Sequence, residues 1–145
     1  MEQLQRLLAA LTLFQQNLKI LHWNIVGIDF DSTHALLGDY YDDFEDFIDD
    51  TAEFCKTLNV SVLNLNDVIS ILEQDSISFV SLNGDESFTS KDCFVQISDM
   101  FEILIKIYDD VLAVGNIPGS IVNKMQEHQQ WLRKECQFKN KQRLK

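Results

Sequence analysis

Proline is nearly absent from this chain: Pro118 is the only one in 145 residues, and glycine occurs just five times, at Gly27, Gly38, Gly84, Gly115 and Gly119. These residues punctuate helices and turns, so a chain with so few is expected to run in a small number of long helices. Cysteine is scarce and odd in number. Cys55, Cys93 and Cys136 show no C-x-x-C spacing, which argues against a disulfide framework or a zinc ribbon and for packing residues in a reducing compartment. No stretch approaches the roughly 18 consecutive apolar residues of a membrane span. The first residues also lack the basic start and small-residue cleavage site of a signal peptide, so no membrane association and a cytoplasmic location are expected.

Positive charge is missing where negative charge is dense. Between residues 20 and 55 there is no Lys or Arg, while Asp29, Asp31, Asp39, Asp42, Asp43, Glu45, Asp46, Asp49, Asp50 and Glu53 all fall there, so this one segment nearly accounts for the formal net charge of −11. Such a balance excludes a surface that binds nucleic acid all over, because phosphate recognition needs clustered cations. Mutual repulsion among these carboxylates is relieved by solvent screening or by a bound cation. The sign reverses at the C-terminal end, where Arg133, Lys134, Lys139, Lys141, Arg143 and Lys145 face the single acid Glu135.

With 46% apolar residues, 145 residues suffice for one well-buried core. Leu4, Leu7, Leu8, Leu11, Phe14, Leu18, Leu21 and Ile25 recur at three- and four-residue steps, predicting a first helix over about 2–25 that Gly27 closes. Asp31-Ser32 offers an N-cap for a second helix to about 58, with Leu36, Leu37, Tyr40, Phe44, Phe47, Ile48 and Phe54 on its apolar stripe. A long crossover over 59–90 carries one short helical run at about 65–72. A third long helix is expected over about 90–114 and a fourth, with Pro118 in its first turn, to about 138. The expected fold is all-α, a four-helix bundle over 1–138 with a short extra helix in its long crossover, followed by a basic tail at 139–145.

Three polar features suit metal chemistry: His22, His34 and the pair Asp49-x-x-x-Glu53. The four-residue step stacks two carboxylates on one helix face, and carboxylate oxygen with imidazole nitrogen suits iron, manganese or zinc better than calcium or magnesium. At 1.5 Å of rise per residue, His34 and Asp49 lie about 22 Å apart on one helix. They cannot grip one ion within one chain. Two chains with antiparallel second helices across a two-fold axis would bring the histidine end of one to the carboxylate end of the other, twice over.

The run His22-Trp23-Asn24-Ile25-Val26-Gly27-Ile28-Asp29-Phe30, then His34, Tyr40 or Tyr41, and Asp49-Asp50-Thr51-Ala52-Glu53 resembles the signature of the Dps-type mini-ferritins, the DNA-binding proteins from starved cells. A weaker likeness extends through Glu127-His128-Gln129-Gln130-Trp131-Leu132-Arg133. The resemblance implies a ferritin-like four-helix bundle assembled into a hollow shell of twelve subunits built from two-fold dimers, with ferroxidase centres between subunits that oxidise Fe(II), preferentially with hydrogen peroxide, and pass Fe(III) to an internal mineral core, protecting against oxidative damage. It implies His22 and His34 as ligands from one chain, Asp49 and Glu53 from its neighbour, and Trp23 as the redox-active or packing aromatic beside the centre. Other divalent metals are expected to compete for the same ligands. Two departures from the pattern stand out: Gly38 occupies a place where many relatives have an acid, and residues 115–119 lack the acids that line an iron pore; a basic arm ahead of the first helix, used by some relatives to hold DNA, is not expected. Two further readings remain: DNA bound by Arg133, Lys134, Lys139, Lys141, Arg143 and Lys145 of many tails acting together, or a structural relative without catalysis.

Overall fold

The computed structural model describes residues 1–75 and 81–145. Four long helices form an antiparallel bundle: α1 (Glu2–Asn24), α2 (Phe30–Thr57), α4 (Ser90–Leu112) and α5 (Gly119–Arg133), with a short α3 (Leu65–Gln74) in the connection between α2 and α4. The part of the expected crossover at 76–80 lies outside the described residues. No strand occurs among the described residues; a single bridge pairs Ile25 with Phe88.

Helix α1 is the central member. Its leucines at 4, 7, 8, 11, 18 and 21 and Phe14 are all buried, and Ala9 and Ala10 bury the flank between them, so α1 packs at once on α2, α3 and α4. Burial of each large side chain is worth about 1.5–3 kcal/mol, which outweighs the modest helix propensity of the β-branched and aromatic residues on the partner helices. Asn17 is the polar exception on this face. Its Oδ1 accepts from the Leu82 N–H at 3.1 Å and its Nδ2 donates to Met100 Sδ at 3.6 Å, tying the crossover to the bundle.

Helix ends follow local chemistry. Asn64 with Asp67 and Thr89 with Asp92 form reciprocal capping boxes at α3 and α4. The start of α2 differs from expectation. Gly27, at φ +115, turns the chain sharply, Phe30 N–H donates to Gly27 O at 3.1 Å, and the helix begins at Phe30 with Asp29 at its cap, two residues ahead of Asp31-Ser32. At α5, Pro118 sits at the cap position rather than in the first turn, its carbonyl receiving Ile121 and Val122 N–H.

The last helix does not stop near 138 to release a tail. It widens into a π-helical segment, Lys134–Asn140, and continues as α6 (Lys141–Arg143). The wide turn brings Glu135, Cys136 and Asn140 all inward. Asn140, fully buried, donates to Phe94 O at 2.6 Å and Ser98 Oγ at 2.5 Å on α4. Arg143 donates to Tyr40 Oη at 2.9 Å on α2 and lies over the Phe94 ring. Burial raises Tyr40 to about 12, with the Arg143 charge opposing. The cysteines are free and buried, as expected of packing residues, and burial pushes Cys93 and Cys136 up to about 12.

Replacing Asn140 by Ala removes both buried hydrogen bonds to α4 and leaves a gap, which should cost about 1–3 kcal/mol. Urea denaturation at fixed protein concentration measures it; an unchanged midpoint would mean that the segment does not clasp the bundle.

Candidate metal centre

His22 stands in the last turn of α1 and His34 in the second turn of α2, and the Gly27 turn folds one over the other. Their rings stack with centroids 3.6 Å apart and planes within 15°. His22 Nδ1–H donates to the carbonyl oxygen of His34 at 2.7 Å, and His34 Nδ1–H donates to the carbonyl oxygen of His22 at 2.7 Å. A carbonyl only accepts, so both Nδ1 atoms carry the proton. In the neutral rings both Nε2 atoms then keep a lone pair, the arrangement that readies an imidazole to bind a metal.

The stack is held on its other sides by aromatic contacts. Phe30 lies against His34 at 4.8 Å and Tyr41 meets His22 edge-on at 5.2 Å. Gly38 has a steric reason: a Cβ there would lie 3.2 Å from His22 Cε1, so the residue that departs from the family pattern leaves room for the imidazole. The turn that carries the histidines exposes apolar side chains beside the acids Asp29 and Asp31. Trp23 is 62% exposed and Ile28 fully exposed, with Val26 and Phe30 also open to solvent.

Asp49 and Glu53 lie one turn apart on α2, both exposed. Among the described residues of one chain, no three His, Cys, Asp or Glu side chains gather closely enough to hold a metal ion. The structure therefore joins the two histidines predicted from the sequence and leaves the two carboxylates further along the same helix.

A second polar cluster lies next to Asp49. Asp50 Oδ2 accepts from His128 Nε2–H at 2.8 Å, and His128 Nδ1 accepts from the Tyr108 hydroxyl at 2.9 Å. Both His128 and Tyr108 are buried, His128 between Phe47 and Phe54 of α2. Burial lowers His128, the Asp50 carboxylate opposing, and raises Tyr108 well above the ordinary phenol value. Sequence reading gave His128 no role. A signal existed: Ile121, Met125, His128 and Leu132 follow one another at four-, three- and four-residue steps, which places the histidine on the buried stripe.

The basic residues of the C-terminal end are partly engaged. Lys139 pairs with Glu135 at 3.0 Å, Arg133 reaches Asp109 at 3.7 Å, and Arg143 is taken by Tyr40. No helix among the described residues is long and apolar enough to cross a membrane.

Comparison with known proteins adds three findings. Residues 1–137 match the family model for the ferritin-like domain. CAIP of Helicobacter cinaedi superposes with a TM-score of 0.85 at 23% identity, over 99% of this chain and 98% of that one. Dps of Staphylococcus aureus superposes with a TM-score of 0.84 at 18% identity, over 99% and 93%. The fine tangled pili major subunit of Haemophilus ducreyi is 42% identical over 60 residues, 41% of this chain and 32% of that protein, so the match spans about a third of the relative's length.

His128 gives a pH dependence. Its folded value lies below the ordinary 6.5, so between the two the unfolded chain binds more protons, and stability is full above pH 6.5 and declines as pH falls. Asp43, raised by burial and by the nearby carboxylates of Asp39 and Asp46, acts in the opposite sense on acidification. The difference between wild type and His128→Asn isolates the histidine: its contribution should shrink from pH 7.5 to 5.5 in thermal melts, and a pH-independent difference would contradict a buried, neutral His128.

Proposed function

The chain belongs to the ferritin-like family and has the fold of Dps-type mini-ferritins, and from that premise we propose that it oxidises and stores iron. Two copies meet across a two-fold axis, so that His22 and His34 of one and Asp49 and Glu53 of the other bind Fe(II) between them. Such dimers assemble into a hollow shell, twelve subunits by resemblance, in which the ferric product collects. The observation that carries this reading is the reciprocal hydrogen bonding of His22 and His34. It fixes both protons on Nδ1 and leaves two Nε2 lone pairs at one place, inside a rim of exposed apolar side chains that a partner would cover.

The chemistry follows from the donor set. Imidazole nitrogen and carboxylate oxygen bind Fe(II), and the charged oxygens favour Fe(III) once it forms, so binding by this set helps drive oxidation, with hydrogen peroxide as the acceptor. The run of acids on α2 supports delivery, because a strongly negative face raises the local concentration of divalent cations. Gly38 supplies no carboxylate and its missing Cβ is needed by the His22 ring, so the reading assigns one iron per centre to protein ligands. Zinc or manganese would compete for it.

DNA binding through Arg133, Lys134, Lys139, Lys141, Arg143 and Lys145 receives less support. Lys139, Arg133 and Arg143 already have partners in the bundle, and the acidic surface opposes phosphate.

Addition of Fe(II) and peroxide should give a soluble ferric product, and Asp49→Ala with Glu53→Ala should abolish the fast phase while the assembly stays intact by light scattering. Fast oxidation surviving the double change would refute the ligand assignment. Gly38→Ala should displace the His22 ring and weaken Fe(II) binding, read by calorimetry against a scaffold gaining up to about 1 kcal/mol of helix stability.

A further inference from the structure

The Asp50–His128–Tyr108 chain is not used by the iron chemistry above, yet its parts are those of a redox-active phenol. A buried, neutral His128 sets the directions of its hydrogen bonds. The Asp50 carboxylate accepts from His128 Nε2–H, so His128 Nδ1 holds a lone pair, and the Tyr108 hydroxyl donates to it at 2.9 Å. An oxidised phenol is a far stronger acid than the phenol itself, so removal of an electron requires a base in contact with the oxygen. His128 is that base, and Asp50 is positioned to stabilise the imidazolium that results.

Burial supplies the other conditions. Tyr108 is fully buried among the residues of the bundle core, and His128 is only 3% exposed, packed against Phe47 at 4.4 Å. In such surroundings a bare phenolate or radical cation is disfavoured, which leaves joint loss of proton and electron as the low-energy route. The same burial keeps solvent and small molecules from a neutral phenoxyl. The chain ends at Asp50, the neighbour in sequence of Asp49 on α2.

Stoichiometry gives this phenol a task. Reduction of peroxide to water takes two electrons, and a centre that holds one Fe(II) provides one. We propose that Tyr108 supplies the second electron to peroxide at the iron centre, its phenolic proton passing to His128; this rests on the iron reading given above. In balance, Fe(II), one H2O2 and the Tyr108 phenol give Fe(III), the Tyr108 phenoxyl radical, one water and one hydroxide. The O–O bond breaks, iron and phenol are each oxidised by one electron, and the phenol's proton is held on His128 Nδ1 before it reaches the hydroxide formed. A later Fe(II) reduces the phenoxyl, which regains a proton through His128. The consequence is that no hydroxyl radical escapes from a single-iron site.

The test uses the assembled protein in two arms. In the first, Fe(II) and peroxide are mixed, frozen rapidly and examined by electron paramagnetic resonance, with a spin trap reporting hydroxyl radical in parallel. A tyrosyl signal that persists in Tyr40→Phe and is lost in Tyr108→Phe and His128→Gln, with more trapped hydroxyl radical in those two variants, is the expected result. Glutamine can accept the hydrogen bond but not the proton, so a purely structural His128 would leave the signal in place. In the second arm, iron-free protein is oxidised by a photogenerated ruthenium(III) complex, and the same dependence on Tyr108 and His128 is expected. Rapid iron oxidation without a Tyr108-dependent radical overturns the electron-donor role and leaves the iron reading standing. Iron oxidation no faster than in buffer overturns the iron reading, and the light-driven arm then decides the phenol alone: a signal indifferent to both variants overturns its proton-coupled oxidation.

Discussion

The structure's functional end depends on one small exchange: each of His22 and His34 gives its Nδ1 proton to the other's backbone carbonyl. The pair does two things at once. It supplies a partner for the His22 carbonyl in the last turn of α1, joining the end of α1 to the start of α2, and it decides which nitrogen of each ring faces outward with a lone pair. Lysine or glutamine at either position could satisfy a carbonyl but would not leave an imidazole nitrogen free. Phe30, Tyr41 and the absent side chain of Gly38 then hold the stack in place.

Much of this was legible in the residues. Leucine and phenylalanine spacing marked the four long helices because burial on one face imposes a three- and four-residue recurrence, and the short helix of the crossover appeared through the same recurrence. The family resemblance put His22 and His34 on one chain's side of a site, but their mutual hydrogen bonds were not visible in the residues. What escaped was long-range and polar. His128 gains its meaning only from Asp50 and Tyr108, each on a different helix, and nothing local to residue 128 announces either partner. The fate of the C-terminal residues escaped for a related reason: six cations in thirteen residues read as a solvated tail, whereas Asn140, a single buried amide, commits the segment to the surface of α4. Helix α2 began two residues early because a glycine turn with a backbone hydrogen bond outcompeted a side-chain cap.

The acidic character of α2 is a compromise between faces. Its inward positions hold Leu37, Tyr40, Phe44 and Phe47, while its outward positions gather carboxylates that repel each other. Burial on the first face tolerates the repulsion on the second, and Asp43, half-buried, is held above the usual carboxylate range by desolvation and by its acidic neighbours. A cation on this surface would relieve strain that the fold itself sustains.

The two polar clusters also differ in when they can be made. The histidine pair joins residues twelve apart, so little chain has to close before it forms, and it can arise as soon as α1 and α2 pack. Asp50 meets His128 across seventy-eight residues, and that contact waits until the crossover has closed and the final helix has docked. During synthesis, the nitrogen donors are therefore arranged well before the buried phenol has its base. Docking of the last helix, which brings His128 to Asp50 and Tyr108, is therefore the step that completes the buried polar cluster, after the turn that pairs the two histidines.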